Sequence, residues 1–305
     1  MYYLFLLLTS LLYAGNFVSG KVLVRYTSPL TVTDLRLLLA IPLLIGLVWM
    51  KERKLLPPLR SIPFLFVMGA TGLSLFNIFT YIALQRTSPD DVGLLTAINP
   101  IAIAIAAYLF FKERLSLKQI IGMLISLIGV IVVISNGQWT RLAHFRFNVG
   151  DLWMLAAVVT WGLFAVAGRK AMQYVSPYMS TLWASIFGVV IMLPFNLPVH
   201  LIHPNATFWS YMLYSVIGGT VIATILWNVG IKGVGPTRAG IFLNFNPIFT
   251  AILAFVLLGV GVTLVQIIGT LLVIAGVTWF TLVGHKRTDG SNPIQGSKMD
   301  QVKSK

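Results

Sequence analysis

Apolar segments about as long as a bilayer-crossing helix, roughly 20 residues, recur along nearly the whole chain, and nothing else in the sequence constrains the fold as strongly. Ten are read, at 3–24, 32–50, 61–84, 91–111, 117–135, 151–171, 178–198, 208–231, 238–258 and 263–283. Polar punctuation separates several of them: Lys51-Glu52-Arg53-Lys54 with Pro57-Pro58, Lys112-Glu113-Arg114, the stretch 136–148, and His200 and His203 around Pro204. Only 10% of the 305 residues are charged and 57% are hydrophobic, too little charge to give a water-soluble domain of this size its polar skin. Lipid tolerates such a surface. The expected fold is therefore an all-α integral membrane protein with ten transmembrane helices, and a soluble catalytic domain has no room. The first run lacks a basic leader and a clear small-residue cleavage site, so it is read as a structural helix rather than a signal peptide.

The net charge of +14 does not point to nucleic acid, because Lys and Arg sit in short clusters between apolar runs rather than along one face. With the N-terminus inside, eleven of the 22 Lys and Arg fall in cytoplasmic connections, five in the tail 286–305 and six on the other side. That bias places both termini in the cytoplasm. Arg141 and Arg146 run against it. The tail is read as flexible and the location as the plasma membrane of a prokaryote. Cysteine is absent, which excludes disulfides, thiolate metal sites and cysteine nucleophiles; no cofactor and no metal are expected.

Shifted by 147 residues, the sequence meets itself. Gln119-Ile120-Ile121-Gly122 falls on Gln266-Ile267-Ile268-Gly269, Gly129-Val130 on Gly276-Val277, and Asn99-Pro100 on Asn246-Pro247. Gly15, Gly72 and Gly93 fall on Gly162, Gly219 and Gly240; Ser28-Pro29 meets Ser176-Pro177 with one residue of slippage. Matches in one register across five segments indicate duplication. The unit is odd-numbered, so consecutive copies enter the membrane in opposite directions. The expectation is two inverted five-helix repeats, 1–140 and 146–285, followed by the tail. Two such halves can expose a central cavity to either side in turn; a duplicated scaffold without a cavity is the alternative.

Several motifs resemble the EamA-type branch of the drug/metabolite transporter superfamily. Gly15-Asn16-Phe17-Val18-Ser19-Gly20-Lys21 resembles its first-helix motif, Trp161-Gly162-Leu163-Phe164 the counterpart in helix six, and Arg36 the arginine near the start of helix two. Asn99-Pro100 and Asn246-Pro247 resemble its Pro-containing fourth and ninth helices, and Phe111-Lys112-Glu113-Arg114-Leu115 its Glu-bearing loop. Two departures stand out: Tyr13-Ala14 where Trp-Gly is common, and Gly259-Val260 where Gly-Glu is usual. The resemblance covers about 1–285. It implies transport of small metabolites, often export of amino acids or related compounds.

Polar side chains within a span should face the bundle or a wet cavity. The candidate substrate-binding residues are Asn16, Arg36, Asn77, Tyr81, Asn99, Trp161, Trp227, Asn228, Asn244 and Asn246, with Thr80, Gln85, Thr96 and Thr224 as further polar positions. The repeat pairs Tyr81 with Asn228, Asn77 with Thr224 and Asn99 with Asn246, so each pair can line opposite walls of one cavity. The competing role is interhelical bonding. That role is favoured for Asn99 and Asn246, because the following proline frees a carbonyl that an amide can satisfy. Arg36 either holds a substrate carboxylate in its guanidinium fork, or snorkels, or pairs with Asp34 or Asp151. Lys21, Arg169 and Lys170, near span ends, are read as snorkelling.

No acidic residue sits at a predicted midplane: Asp34, Asp90, Asp91 and Asp151 lie near span ends, the rest in loops or tail. That favours neutral or zwitterionic cargo moved by facilitated transport or exchange. Gly122 and Gly129, like Gly269 and Gly276, are seven apart on one helix face and read as packing contacts. An enzyme would need a cluster of catalytic groups within the spans, and His144, His200, His203 and His285 all fall outside them. A channel, receptor or scaffold remains the alternative to a carrier. The partners expected are a small-molecule substrate and the lipid bilayer, with a monomer as the expected state.

Overall fold

The computed structural model describes residues 1–86, 92, 95–135, 148–195, 201, 203–258 and 263–285. Asp90, Asp91, Gly93, Arg141, His144, Arg146, His200, Gly259-Val260 and the tail 286–305 lie outside the described residues, as do the side chains of Lys21 and His285. Apart from one isolated bridge between Thr27 and Leu201, the described elements are all helical.

In chain order they are α1 (Tyr2–Leu23), α2 (Pro29–Glu52), α3 (Ile62–Met68, Gly69–Leu75 and Phe76–Leu84 in succession), α4 (Asn99–Phe111) and α5 (Leu117–Ser135). Then come α6 (Val149–Ala171), α7 (Pro177–Met192), α8 (Ala206–Tyr214, Ser215–Ile222 and Ala223–Val234), α9 (Pro236–Gly240, Ile241–Phe245 and Asn246–Leu258) and α10 (Leu264–His285). Eight helices among the described residues are long and apolar enough to cross a membrane; α4 is a shorter apolar helix.

The helix starts follow capping chemistry. Ser28 Oγ accepts from the Thr31 amide at 3.1 Å and Pro29 opens α2; Ser176 Oγ accepts from the Met179 amide at 3.0 Å and Pro177 opens α7. A hydroxyl at the cap satisfies an orphan N–H, and proline in the first turn loses no hydrogen bond. The repeated Ser-Pro is thus the same cap used twice, and it starts α2 three residues before the hydropathy reading. Asn148 and Asp151 close a capping box on α6: Asn148 Oδ1 accepts from Gly150 N at 2.6 Å, and Asn148 N donates to Asp151 Oδ2 at 2.8 Å. This explains an acidic residue that is fully buried.

Both α3 and α8 loosen into π-helix at matching repeat positions, Gly69–Leu75 and Ser215–Ile222. Wider winding leaves carbonyls for side chains to take. Asn77 Nδ2 donates to the Leu73 carbonyl at 2.9 Å and the Gly72 carbonyl at 3.3 Å. Thr220 Oγ1 donates to Ser215 O at 2.8 Å, five residues back. α9 is also irregular, turning through a 3-10 stretch at Ile241–Phe245 before Asn246-Pro247 restarts regular helix.

Contacts between the two parts of the chain are reciprocal. α1 packs on α8 and α9, while α6 packs on α3 and α4; α2 packs on α7 and α5 on α10. The α5–α10 pair runs antiparallel: Gly122 faces Gly276 and Phe280, and Gly129 faces Gly269 and Val273. Gly122 and Gly129 are the repeat equivalents of Gly269 and Gly276, so the contact maps onto itself when the two helices are exchanged. Buried side chains fill the interior, with Trp227, Phe164, Phe208 and Phe280 the largest fully enclosed, while Leu, Ile, Val and Phe cover much of the outer surface. That inversion of a soluble protein's surface suits a lipid solvent.

Candidate functional site

One cavity lies where α1, α2, α3, α4, α6, α8 and α9 converge. α1 contributes Tyr13, Asn16, Phe17 and Gly20; α3 contributes Gly72, Leu73, Phe76, Asn77, Thr80 and Tyr81. Each set recurs at spacings of three and four, so it forms one helix face. Arg36 enters from α2 and Asn99 from α4. Trp161 and Phe164 come from α6, Gly219, Thr220 and Thr224 from α8, and Leu243 and Asn246 from α9. The free volume is about 70 Å³. That is room for on the order of five waters.

Among the described residues Arg36 is the only charged side chain on the cavity wall, and it is 4% exposed. Its Nη2 donates to Asn77 Oδ1 at 3.1 Å, and its Nε has no partner. It makes no ion pair among the described residues. In place of snorkelling or pairing with Asp34 or Asp151, Arg36 makes an amide contact that leaves its charge without an ion-pair partner among the described residues. The π-helical turn sets this up, since the amide that accepts from Arg36 is held by the carbonyls of Gly72 and Leu73.

Other polar atoms around the cavity are buried without partners among the described residues: Thr80 Oγ1, Asn99 Oδ1, Trp161 Nε1 and Asn246 Oδ1. A buried polar atom left unpaired costs about 1–3 kcal/mol, so several converging on one cavity mark a place where a polar ligand or water completes them. Trp161 is held rigidly. Phe76, Phe164, Tyr13 and Trp227 surround its ring with centroids 4.6, 5.0, 5.7 and 5.7 Å away.

Of the ten residues singled out in the sequence, seven line this cavity: Asn16, Arg36, Asn77, Tyr81, Asn99, Trp161 and Asn246. Trp227, Asn228 and Asn244 do not. Trp227 is fully buried against Trp161. Asn228 Nδ2 donates to Thr181 Oγ1 at 3.0 Å, and Asn244 Nδ2 donates to Ser126 Oγ at 2.9 Å, so both tie helices together. The repeat pairs Asn77/Thr224 and Asn99/Asn246 both reach the wall; of Tyr81/Asn228 only Tyr81 does. Tyr13, Phe17, Phe76 and Phe164 are wall residues that a search for polar positions passes over, and Thr220 is a polar wall residue it missed. The 13–16–17–20 and 73–76–77–80–81 spacings carried that information.

A second polar cluster joins helix ends away from the cavity. Glu113, just after α4, accepts from Arg169 Nη1 and from Thr237 Oγ1, the latter at 2.8 Å. The Arg169 guanidinium also lies 4.5 Å from the Phe111 ring centroid. Arg169 is thus paired rather than snorkelling, because the left-handed turn at Lys112 brings the loop carboxylate back over the end of α6. One carboxylate thereby ties α4 to α6 and α9.

The EamA-like transporter family model matches residues 1–135 and 148–282. The chain belongs to the EamA-like transporter family. Among similar proteins, the uncharacterized transporter YyaM of Bacillus subtilis is 29% identical over 280 residues, covering 90% of this chain and 92% of that one. An uncharacterized transporter of Archaeoglobus fulgidus is 28% identical over 287 residues, covering 93% and 98%. The S-adenosylmethionine/S-adenosylhomocysteine transporter of Chlamydia trachomatis serovar L2 is 24% identical over 264 residues, covering 83% and 80%. A solved crystal structure superposes with a TM-score of 0.74 at 20% identity, covering 92% of this chain and 96% of that chain, and so shares the fold. The chain is a multi-pass membrane transporter by family.

Proposed function

We propose that this EamA-like protein is a carrier for small carboxylate-bearing metabolites, amino acids above all, working by alternating access. The single observation that carries the reading is Arg36: a buried cation on the cavity wall without a counter-ion among the described residues. An uncompensated buried charge is costly, and a cargo carboxylate meeting the guanidinium fork removes the cost. The S-adenosylmethionine/S-adenosylhomocysteine relative fits this class, since both compounds contain an amino-acid head. Residues 1–140 and 146–285 act as two inverted five-helix halves in this scheme, with ten spans in all. Reciprocal packing of α1 on α8 with α3 on α6, and the self-mapping α5–α10 contact, support that arrangement. Export across the plasma membrane with both termini cytoplasmic completes the proposal, resting on the loop-charge bias and on family resemblance.

No Asp, Glu or His lines the cavity among the described residues, so cargo movement should not require proton transfer there. Counterflow in proteoliposomes tests both points. Amino acid preloaded inside should accelerate uptake of labelled amino acid, with saturation, and an imposed pH gradient should change the initial rate by less than about twofold. Unsaturable flux without acceleration by internal solute would favour a channel. Strong dependence on the pH gradient would place a proton-coupling group outside this cavity.

A further inference from the structure

We infer that Asn99 and Asn246 together form the seat for the cargo's ammonium group; this rests on the carrier reading above and adds the groups that recognise nitrogen. The two residues occupy equivalent places in the repeat, each directly before the proline of an Asn-Pro pair that opens regular helix. Both line the same cavity, and each Oδ1 is buried with no hydrogen-bond partner among the described residues. The helix-bonding role favoured from sequence leaves those two oxygens unexplained.

Two unpaired acceptors in one cavity call for a donor. An ammonium offers three N–H donors and no acceptor, and its hydrogen bonds to oxygen are charge-assisted. The opposite polarity is supplied by Arg36 Nε and Trp161 Nε1, donors without partners on the same wall. The cavity therefore presents unmet donors and unmet acceptors at once, a pattern that a zwitterion satisfies and that an anion or amine alone does not. Neutral amides suit the acceptor role better than carboxylates would. A carboxylate sharing the cavity with Arg36 would pair with it and remove the cation from the cargo.

The symmetry of the pair matters for turnover. If the halves exchange conformations, Asn99 and Asn246 exchange roles, and a two-oxygen seat exists in both states. The anion seat has no such twin: Trp183 and Ala184, the α7 positions that match Arg36, carry no charge.

The test uses the full-length protein in proteoliposomes with the twenty standard L-amino acids, one at a time. The best-exchanged amino acid is then compared with its 2-hydroxy acid, in which the ammonium alone is replaced. Wild type should need at least about tenfold more of the hydroxy acid for half-saturation, because one hydroxyl leaves acceptors unmet. Asn99→Leu and Asn246→Leu should each raise half-saturation for the amino acid about tenfold or more, and move that for the hydroxy acid less than about threefold. If either variant does not fold, the wild-type comparison decides. Equal half-saturation for amino and hydroxy acid in wild type, or equal weakening of both in the variants, overturns the ammonium seat and leaves the carrier intact. Absence of saturable exchange for all twenty amino acids overturns the carrier reading for that class.

Discussion

Arg36→Ala should lower amino-acid exchange on the order of 100-fold while leaving the purified protein at least as resistant to heat as wild type. The two halves of this expectation share one cause. Arg36 is buried, with one hydrogen bond, to Asn77, and no ion pair among the described residues. Removing a buried cation that lacks a counter-ion relieves a cost to the empty protein. Removing it from the loaded protein strands the cargo carboxylate, which costs about 2–5 kcal/mol. Arg36→Lys keeps the charge but not the fork, so it should fall between wild type and alanine. Exchange rates together with thermal unfolding of the same preparations check this. A large fall in stability with the loss of exchange would instead make Arg36 a structural residue.

Gly129→Leu should destabilise the folded protein by about 3 kcal/mol or more, enough to lose it from gel filtration as a single species. α5 and α10 approach so closely there that a Cβ on Gly129 would lie 2.6 Å from Val273 N and 2.8 Å from the Gly269 carbonyl. These are backbone atoms, and a rotamer change cannot clear them. Gly46 is the control: a Cβ there meets nothing within 4 Å. Gly46→Ala should leave stability unchanged or raise it by about 0.5–1 kcal/mol, since alanine is the better helix former. Comparable losses from both substitutions would mean that the glycine contact does not hold the helices together.

Much of this was legible in the sequence because lipid simplifies the code. A span must be apolar and about 20 residues long, so hydropathy located most helices, eight of them long enough to cross, while the start of α2 at Pro29 and the shorter α4 at Asn99–Phe111 depart from it. The repeat added equivalences, and matching glycines at 122, 129, 269 and 276 marked two packing faces, but that these faces meet each other is supplied by the fold. The polar-residue search found Arg36, Asn77 and the Asn-Pro pair for the same reason: polar atoms in a span need a stated use. It failed where that rule is silent. Trp227, Asn228 and Asn244 are polar and buried but turn away from the cavity, because composition does not say which neighbour a helix face meets. Tyr13, Phe76 and Phe164 are apolar enough to pass as lipid-facing or core residues. The π-helical stretches of α3 and α8 were not readable either, since glycine and threonine in a span fit ordinary α-helix equally well. Arg169 was misread from its place at a span end; its partner Glu113 is 56 residues away, a contact only the fold supplies.

In the proposed cycle the cavity around Arg36 opens to each side of the membrane in turn. The chain contains no cysteine, so Thr80→Cys would carry the sole thiol, on the cavity wall and at a hydroxyl that makes no hydrogen bond. Its reaction with a membrane-impermeant thiol reagent, applied from one face and then the other, is the most direct measurement. Modification from both faces, slowed when saturating amino acid is present, is the result expected of alternating access. Modification from one face only, at a rate that amino acid does not change, would contradict it.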